Sequence, residues 1–252
     1  MKSVIVLQAR LDSSRLPRKV LLPLAGREVI LHCLDKLRLS KEADEVVVAI
    51  PEAEAGGELE KLVTSEGVRA IAGPEHDVLS RFIISAYETD AQIIVRATAD
   101  NPLHDPLIID EQIRFLKANP DVEYVFHRRL PLGVSTEAFP RRTLEKLDYL
   151  ARIPLHREHV TYYLVEHPEP FNIKFLEVSS QLARPHFRLT LDTEEDYKLL
   201  QAIFNELYDR VSPIPLANVI AFLDEHPELS QINSHVVQVP AHIEQVLASV
   251  VG

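Results

Sequence analysis

The sequence predicts an α/β protein in which helices flank a mostly parallel central sheet. Short apolar, β-branched runs, such as residues 4–7 and 45–50, alternate along the chain with amphipathic stretches of about ten residues. Proline and glycine mark several of the boundaries, as at Pro51 and Gly67. Such alternation is typical of parallel strands joined by helical crossovers. A chain of 252 residues is long enough to bury a sizeable core in one such domain.

Hydrophobic periodicity predicts the elements in order, because apolar residues run together or alternate in strands and recur every three to four positions in helices. The predicted strands span residues 4–7, 45–50, 68–72, 91–96, 121–126, 171–178 and 187–191. The predicted helices span residues 28–39, 58–66, 77–88, 155–166, 216–225 and 241–249. Residues 127–132 are predicted to form an exposed basic turn. We expect an α/β domain over residues 1–211 and a small helical extension over 212–252 packed on it.

Local chemistry predicts where two further helices begin. Asp105 precedes Pro106, a combination that favours aspartate as N-cap and proline as the first helical residue. Thr193 precedes Asp196 by three positions, which is the spacing of a reciprocal N-terminal cap. These acids therefore have structural explanations that need no ligand.

Composition limits the classes of function. The formal net charge is -11, which argues against non-specific nucleic-acid binding because that requires a broad basic surface. No run of about 18 apolar residues occurs, so no membrane span is expected. The single cysteine, Cys33, cannot form an internal disulfide, which fits a reducing compartment. We expect a soluble, cytoplasmic protein.

A basic loop follows the first predicted strand. Arg10, Arg15, Arg18 and Lys19 lie within ten residues, with Asp12 as the only acid among them. Such a concentration of positive charge on an acidic chain predicts an anionic partner, and nucleotide phosphates usually bind where the first strand of an α/β sheet ends. The alternative is a solvated basic turn.

A second polar segment follows the fourth predicted strand and contains Asp100. A carboxylate at the end of an internal strand is well placed to hold Mg²⁺ against nucleotide phosphates, because hard cations take oxygen ligands. The alternative for Asp100 is a structural role in a turn, since the sequence Asp-Asn-Pro over residues 100–102 favours one.

Residues 8–19, Gln-Ala-Arg-Leu-Asp-Ser-Ser-Arg-Leu-Pro-Arg-Lys, resemble the signature loop of the CMP-sugar cytidylyltransferases. These are the acylneuraminate and 3-deoxy-manno-octulosonate activating enzymes, and the similarity is greatest to the spore-coat polysaccharide biosynthesis branch. The family pattern runs roughly Gln-Ala-Arg-x-x-Ser-x-Arg-Leu-Pro-Gly-Lys. This chain departs from it at Arg18, and Asp12 stands where a small residue is common. The segments that are also similar are residues 96–102, 133–139, 157–161, 191–197 and 233–238.

The resemblance implies a Rossmann-like nucleotide-diphospho-sugar transferase fold and transfer of CMP from CTP to an acidic keto-acid sugar, with release of pyrophosphate, for surface polysaccharide biosynthesis. It also implies Mg²⁺ as cofactor and a homodimer, with neither nucleic acid nor membrane as partner. Arg15, Lys19 and Asp100 match catalytic positions, and Asp100 and Asp192 match the metal ligands. The positions that match nucleotide-binding residues are Gln8, Ala9, Arg10, Ser13, Arg15, Lys19, Arg96 and Thr98.

The resemblance places Glu137, Arg157 and His159 on the acceptor side of the cleft. Ser135 stands where the family often has aspartate. For Glu137, the alternative is a charged residue on an edge strand. His156 and His159 are three apart, but a zinc site is not predicted, since no cysteine or aspartate nearby supplies the remaining ligands.

Two other functions stay open at this stage. One is another nucleotide-sugar pyrophosphorylase, or a glycosyltransferase, on the same fold. Sugar-1-phosphate nucleotidyltransferases usually carry a Gly-Gly-x-Gly-Thr-Arg loop, whereas residues 8–19 contain no glycine. The other is a non-catalytic nucleotide-binding homologue, which the departures at Asp12, Arg18 and Ser135 leave possible.

Overall fold

A computed structural model describes residues 1–238, so the predicted helix over 241–249 lies outside the described residues. The strands in the described part are β1 Ser3–Gln8, β2 Pro23–Leu24, β3 Arg27–Glu28, β4 Glu45–Pro51, β5 Arg69–Gly73, β6 Ile93–Thr98, β7 Tyr124–Arg128, β8 Glu137–Pro140 and β9 Ile173–Glu177. Seven of them form one sheet in the order β5-β4-β1-β6-β8-β7-β9, and β2 pairs with β3 in a separate hairpin. β8 is antiparallel to both of its neighbours, while the other neighbours in the sheet are parallel. The predicted mostly parallel sheet is confirmed.

Helices cover both faces of this sheet. They are α1 Val29–Leu37, α2 Glu58–Ser65, α3 Val78–Glu88, α4 Pro106–Ala118, α5 Arg141–Leu150, α6 Pro154–Glu158, α7 Tyr162–Glu166, α8 Glu194–Leu207, α9 Leu216–Glu225 and α10 Pro227–Ser230. The predicted caps are confirmed. The Asp105 side chain accepts from the backbone N–H of Leu107, and Thr193 and Asp196 form a capping box.

β1 lies in the middle of the sheet between β4 and β6, and it runs parallel to both. Ile5 and Leu7 belong to the apolar cluster on one face, while Val4 and Val6 belong to the cluster on the other. All four are fully buried, and burial of each stabilises the fold by roughly 1.5–3 kcal/mol. The carboxyl end of β1 therefore lies between those of β4 and β6. Open α/β sheets bind their ligands at such a point, outside the carboxyl ends of the central strands.

The helix predicted over 155–166 is broken in the structure. α6 ends at Glu158 and α7 begins at Tyr162. Between them, the N–H of Thr161 donates to the carbonyl oxygen of His159 at 2.6 Å, which closes a three-residue turn around Val160. The φ of Val160 is +55°, a conformation that is disfavoured for a β-branched residue. Local periodicity favours a continuous helix here, so the turn depends on tertiary contacts.

The strand predicted over 187–191 is also wrong. This stretch makes a single bridge, from Arg188 to Leu132, and the N–H of Leu191 donates to the carbonyl oxygen of Asp100 at 2.8 Å. Gly133 explains the close approach of the two segments, since a Cβ there would lie 2.6 Å from the backbone nitrogen of Thr190, and its φ is +93°. The segment after 187 thereby reaches the end of β6.

Two further predictions for the second half of the sheet are wrong, namely the bounds of one strand and the location of Glu137. The strand predicted over 121–126 spans Tyr124–Arg128, so His127 is a fully buried strand residue rather than part of an exposed turn. Glu137 begins β8, which lies between β6 and β7 in the sheet interior, so the edge-strand explanation for its charge is wrong.

α9 packs on the main body of the protein. Leu216, Val219, Ile220 and Leu223 are buried in the same apolar cluster as α1. The division of the chain at residue 211 stays a prediction. Among residues 1–238, none of the helices has the length and apolar character needed to cross a bilayer.

Candidate active site

A cleft of about 850 Å³ opens at the carboxyl ends of β1 and β6. Most of the predicted site residues line it. They are Gln8, Ala9, Arg10, Ser13, Arg15, Lys19, Arg96, Thr98, Asp100, Glu137, His159 and Asp192. The structure thus brings together side chains from five separate stretches of the chain, as the resemblance implied. Arg157 is the predicted site residue that is not among them.

The basic loop is closed by its own backbone. The N–H of Arg18 donates to the carbonyl oxygen of Leu11 at 3.0 Å, and Arg18 has φ +57°. This left-handed conformation explains why the family usually has glycine here, because only glycine adopts it without cost. The Arg18 side chain points away from the cleft to an exposed ion pair with Glu58. Asp12 is exposed and does not line the cleft.

Lys19 contacts both predicted metal ligands, Asp100 and Asp192. Its Nζ donates to Oδ2 of Asp100 at 2.5 Å and to Oδ1 of Asp192 at 2.8 Å. Burial alone would lower the pKa of Lys19, but the charges of Asp100 and Asp192 outweigh burial, and the pKa is raised. Burial would raise the pKa of Asp100, yet the charge and hydrogen bond of Lys19 hold it below its ordinary value. The ammonium of Lys19 and the carboxylate of Asp100 are therefore charged together at neutral pH.

The two carboxylates fit a magnesium ion. Both accept from the same nitrogen, so a single small cation at that point would contact an oxygen of each. Mg²⁺ is commonly held by one or two carboxylates, with waters and substrate phosphates as the other ligands. Within residues 1–238, no group of three or more histidine, cysteine or acidic side chains is arranged as a metal cage. The donor set suits an ion shared with a bound nucleotide.

Asp192 is held from two directions. Its Oδ1 faces the cleft, where Lys19 donates to it and Arg15 lies at 3.1 Å. Its Oδ2 accepts from Nη2 of Arg188 at 3.0 Å on the protein side. Arg188 also donates to both oxygens of Asp196, the buried carboxylate of the capping box. Sequence reasoning assigned nothing to Arg188.

A second polar network forms the floor of the cleft. Arg96 donates to Oε1 of Glu137 at 2.9 Å and to Oε1 of Gln8 at 3.2 Å. Thr161 donates its hydroxyl proton to Oε2 of Glu137 at 2.6 Å. Glu137 is thus fixed by two neighbours, and the bond from Thr161 stabilises the turn at Val160 described above. This turn places His159 beside the cleft.

His159 is electrostatically suited to stay neutral. Burial lowers its pKa, and the nearby positive charges of Arg96 and Arg10 lower it further, while Glu158 opposes them.

Arg157, two positions earlier, has a different environment. Its guanidinium donates to Oδ2 of Asp77 at 2.6 Å and to Oδ1 of Asp148 at 2.8 Å, which ties α6 to α3 and α5. The structure therefore gives Arg157 a structural role, contrary to the expected place on the acceptor side.

Arg81 is a cleft residue that sequence reasoning missed. It lies on α3 and is 2% exposed, and its Nε and Nη1 have no acceptor among the described residues. Burial, together with the charge of Arg10, lowers the pKa of Arg81 to about 10. A signal was present in the sequence, because Arg81 is three residues after Val78 and next to Phe82, on the buried face of that helix. Buried donors without partners are rare, so these two N–H groups are free to donate to a water molecule or a ligand.

Asn101 is a second missed residue. Its amide donates to the hydroxyl oxygen of Thr98 at 2.7 Å, but its buried Oδ1 has no partner among the described residues. It adjoins Asp100 and lines the cleft. Two residues that line the cleft, Arg81 and Asn101, therefore carry buried polar atoms without a partner among the described residues.

Comparisons with known proteins agree with this geometry. A family model described as cytidylyltransferase matches residues 4–234. The spore coat polysaccharide biosynthesis protein SpsF of Bacillus subtilis (strain 168) is 30% identical over 230 residues, which cover 89% of this chain and 95% of that protein.

Solved structures are similar as well. The structure of a cytidylyltransferase from Leptospira borgpetersenii superposes with a TM-score of 0.84 at 30% identity, covering 96% of this chain and 100% of that chain. A CMP:2-keto-3-deoxy-manno-octonic acid synthetase complexed with CTP superposes with a TM-score of 0.66 at 19% identity, covering 82% and 99%. The second likeness bears on the fold alone.

Proposed function

The chain belongs to the cytidylyltransferase family and is a nucleotidyltransferase. We propose that it transfers CMP from CTP to an acidic keto-acid sugar and releases pyrophosphate. The contact that carries the proposal is the one between Lys19, Asp100 and Asp192, where one cation lies between two acids beside a basic loop. Such a site suits a polyanion that binds together with a metal ion.

Charge balance supports binding of a triphosphate at the basic loop. Arg10 and Arg15 are half-exposed and paired only at 3.3 Å and 3.1 Å, so phosphate oxygens can replace their present partners at little cost. Lys19 would leave the carboxylates when Mg²⁺ takes its place, and its ammonium would then neutralise charge on the departing pyrophosphate. Phosphoryl transfer depends mainly on such positioning and charge neutralisation.

Asp100 and Asp192 would hold Mg²⁺, which supplies charge stabilisation for the phosphate oxygens when it is bound. The hydroxyl oxygen of the acceptor would form a new bond to the α-phosphorus and lose its proton to water, and the bond from that phosphorus to pyrophosphate would break. Gln8, Ala9, Ser13 and Thr98 line the same part of the cleft and would orient the nucleotide.

Arg81 supports recognition of a nucleobase. Its unpaired N–H groups lie in the cleft near the basic loop, and Nε or Nη1 would donate to an acceptor atom of the base. The Watson–Crick edge of cytosine carries two neighbouring acceptors, O2 and N3, and an N–H of the guanidinium would donate to one of them. A purine presents a different edge and a larger ring system.

The acceptor would bind on the side of Glu137 and His159. Both line the cleft, and Glu137 is rigidly held by Arg96 and Thr161. The class of acceptor is inferred from the resemblance of residues 8–19 to the signature loop of the CMP-sugar cytidylyltransferases. The product would serve surface polysaccharide biosynthesis, as the name of the Bacillus relative suggests for that protein.

Pyrophosphate release tests the proposal directly. We expect release from CTP and Mg²⁺ with 3-deoxy-manno-octulosonate or N-acetylneuraminate as acceptor, and much less with ATP, GTP or UTP. A parallel reaction with glucose 1-phosphate distinguishes a sugar-1-phosphate nucleotidyltransferase. Release with the sugar phosphate but not with the keto acids would contradict the proposed acceptor class.

We further propose that the enzyme is a cytoplasmic homodimer. Support comes from the family resemblance and from Cys33, a buried free thiol that suits a reducing compartment. Light scattering coupled to size-exclusion chromatography measures the mass directly, and a monomer of 28.5 kDa at all concentrations would contradict the dimer.

A further inference from the structure

Asp192 presents only one of its two oxygens to the cleft. Oδ1 faces Lys19 and Arg15, while Oδ2 is occupied by Arg188 behind it. Asp192 and Arg188 are each 7% exposed, so solvent does not compete strongly for this contact. The direction in which Asp192 offers a lone pair is therefore set by Arg188.

Arg188 is in turn fixed by a fully satisfied carboxylate. Oδ1 of Asp196 accepts from Nε of Arg188 at 2.8 Å, and Oδ2 accepts from Nη2 at 3.1 Å. Oδ2 also accepts from the backbone N–H groups of Asp192 and Thr193 at 2.9 and 3.0 Å. Asp196 is 0% exposed, so this cap holds the backbone of Asp192 and the guanidinium of Arg188 in one arrangement.

The C-terminal tail, here residues 231–238, completes the arrangement. Nδ2 of Asn233 donates to Oδ1 of Asp196 at 2.8 Å and to the carbonyl oxygen of Arg188 at 2.9 Å. Oε1 of Gln238 accepts from Nη1 of Arg188 at 2.6 Å. Asn233 is 1% exposed although its neighbour Ser234 is exposed. A chain of polar contacts thus runs from the tail through Asp196 and Arg188 to Asp192.

We propose that Arg188 is a positioning residue that holds Asp192 in a one-oxygen arrangement toward the metal, and that Asn233 of the C-terminal tail locks Arg188 in place. The inference rests on the proposed function, since it concerns the metal that accompanies CTP. It adds that the tail is part of the metal site although none of its residues is a metal ligand. Groups that orient metal ligands typically change metal affinity by about 10- to 100-fold when they are removed.

The arrangement also selects among cations. Ca²⁺ readily takes bidentate carboxylates and six to eight oxygens, whereas Mg²⁺ requires a compact octahedron. With Oδ2 bound to Arg188, Asp192 cannot be bidentate. The site therefore favours Mg²⁺ over Ca²⁺ as long as Arg188 is in place.

The test compares calorimetric titrations of CTP in EDTA and at increasing Mg²⁺ or Ca²⁺. The variants are Asn233→Ala, Arg188→Lys and Ser234→Ala, the last being the exposed control next to Asn233. We expect Asn233→Ala to bind CTP in EDTA like wild type. We also expect it to need about tenfold more Mg²⁺ for half of the gain in CTP affinity. Arg188→Lys keeps the positive charge, but an ammonium cannot reproduce the planar set of N–H groups that donate to both Asp192 and Asp196. The ratio of the Ca²⁺ to the Mg²⁺ concentration needed for half of the gain in CTP affinity should therefore fall in this variant.

A purely structural role predicts a different result. Asn233→Ala would then lower the melting temperature and leave the Mg²⁺ requirement and the Mg²⁺/Ca²⁺ ratio unchanged, which would overturn the proposal. A CTP affinity of wild type that is independent of Mg²⁺ would overturn it too, while the assignment of CTP would survive. A wild type that binds no CTP would overturn the proposed function alone. Titration with Mn²⁺ and no nucleotide, followed by electron paramagnetic resonance, then compares wild type with Asn233→Ala, and equal affinities or no binding would overturn the role of Arg188.

Discussion

Nζ of Lys19 lies 2.5 Å from Oδ2 of Asp100, although 81 positions separate the two residues in the chain. Lys19 follows β1 and Asp100 follows β6, which are adjacent parallel strands, so their carboxyl ends meet at one edge of the sheet. The contact unites the two motifs that the sequence analysis singled out separately. Under the proposed function, Lys19 exchanges the carboxylates of Asp100 and Asp192 for phosphate oxygens when the nucleotide binds.

Lys19→Met should weaken binding of CTP by roughly 10- to 100-fold and binding of CMP much less, because a charge-assisted contact to the terminal phosphates is lost. Arg15→Ala should act in the same direction. Calorimetric titration with both nucleotides measures the difference. Lys174→Met, at an exposed lysine of β9, is the control. Equal losses for CTP and CMP would contradict the assignment of Lys19 to the terminal phosphates.

Asp12→Ser should leave the affinity for CTP within about twofold of wild type. Asp12 departs from the family pattern, but its side chain is exposed and does not line the cleft, so its repulsion of a bound phosphate is weakened by water. The same titration at low and at physiological salt measures the effect. A clear gain in affinity would mean that the loop turns Asp12 toward the nucleotide on binding.

Arg157→Ala should destabilise the protein by about 1–2 kcal/mol without changing the affinity for CTP. Arg157 joins α6 to Asp77 of the α3 cap and to Asp148 of α5, and the variant loses both ion pairs. Urea denaturation measures the free energy of unfolding. The control is Arg152→Ala, an exposed neighbour. A specific loss of CTP binding at full stability would restore the role that the resemblance gave to Arg157.

The sequence predicted those parts of the molecule that depend on local chemistry. The alternation of strands and helices, the cap at Asp105 and the basic loop all follow from patterns within a few residues. The turn at Val160 could not be predicted, because it is stabilised by the distant contact between Thr161 and Glu137. Local periodicity alone favours a helix there.

Long-range pairing also explains what was missed at the site. The spacing of Arg81 after Val78 places it on the buried face of α3, but only the packing of α3 shows that this face borders the cleft. Arg188 belongs to a segment whose alternation predicts a strand. Among the described residues, however, this segment forms a single β-bridge, between Arg188 and Leu132. Its two carboxylate partners follow it within eight residues, but their geometry depends on the capping box.

Stability should fall as the pH is lowered through about 6.5. Burial lowers the pKa of His104, which faces Asp100 and Lys36, and burial likewise lowers the pKa values of His32 and His127. The unfolded chain therefore binds protons more readily than the native state, so the stabilisation is complete above the unfolded pKa. It is lost progressively toward the lower native values, at about 1.4 kcal/mol for each unit of separation.

His104→Gln removes one of these titrations, so its unfolding free energy should depend less steeply on pH than that of wild type. Urea denaturation at intervals between pH 5.5 and 8.0 measures both slopes. The comparison at pH 8.0 is the control, since it reports the cost of the substitution without protonation. Parallel curves for the two proteins would show that His104 does not contribute to the pH dependence.

The last prediction concerns the pair of metal ligands. Asp100→Asn keeps the shape and leaves an oxygen that can accept from Lys19, but it removes a charge that hard cations require. The gain in CTP affinity with Mg²⁺ should largely disappear, and turnover should fall by about two to four orders of magnitude, at roughly 1.4 kcal/mol for each tenfold. Asp192→Asn should behave alike. The double variant should lose much less than the sum, because the two carboxylates act on one ion.

Asp105→Asn is the matched control for Asp100→Asn. It makes the same chemical change five residues away, at a position where the side chain caps α4 by accepting from Leu107, and asparagine caps a helix about as well as aspartate. It should therefore keep both stability and the Mg²⁺ dependence of CTP binding. If Asp100→Asn instead lowers the melting temperature and leaves the Mg²⁺ dependence unchanged, Asp100 is a turn residue, and the metal must be held elsewhere.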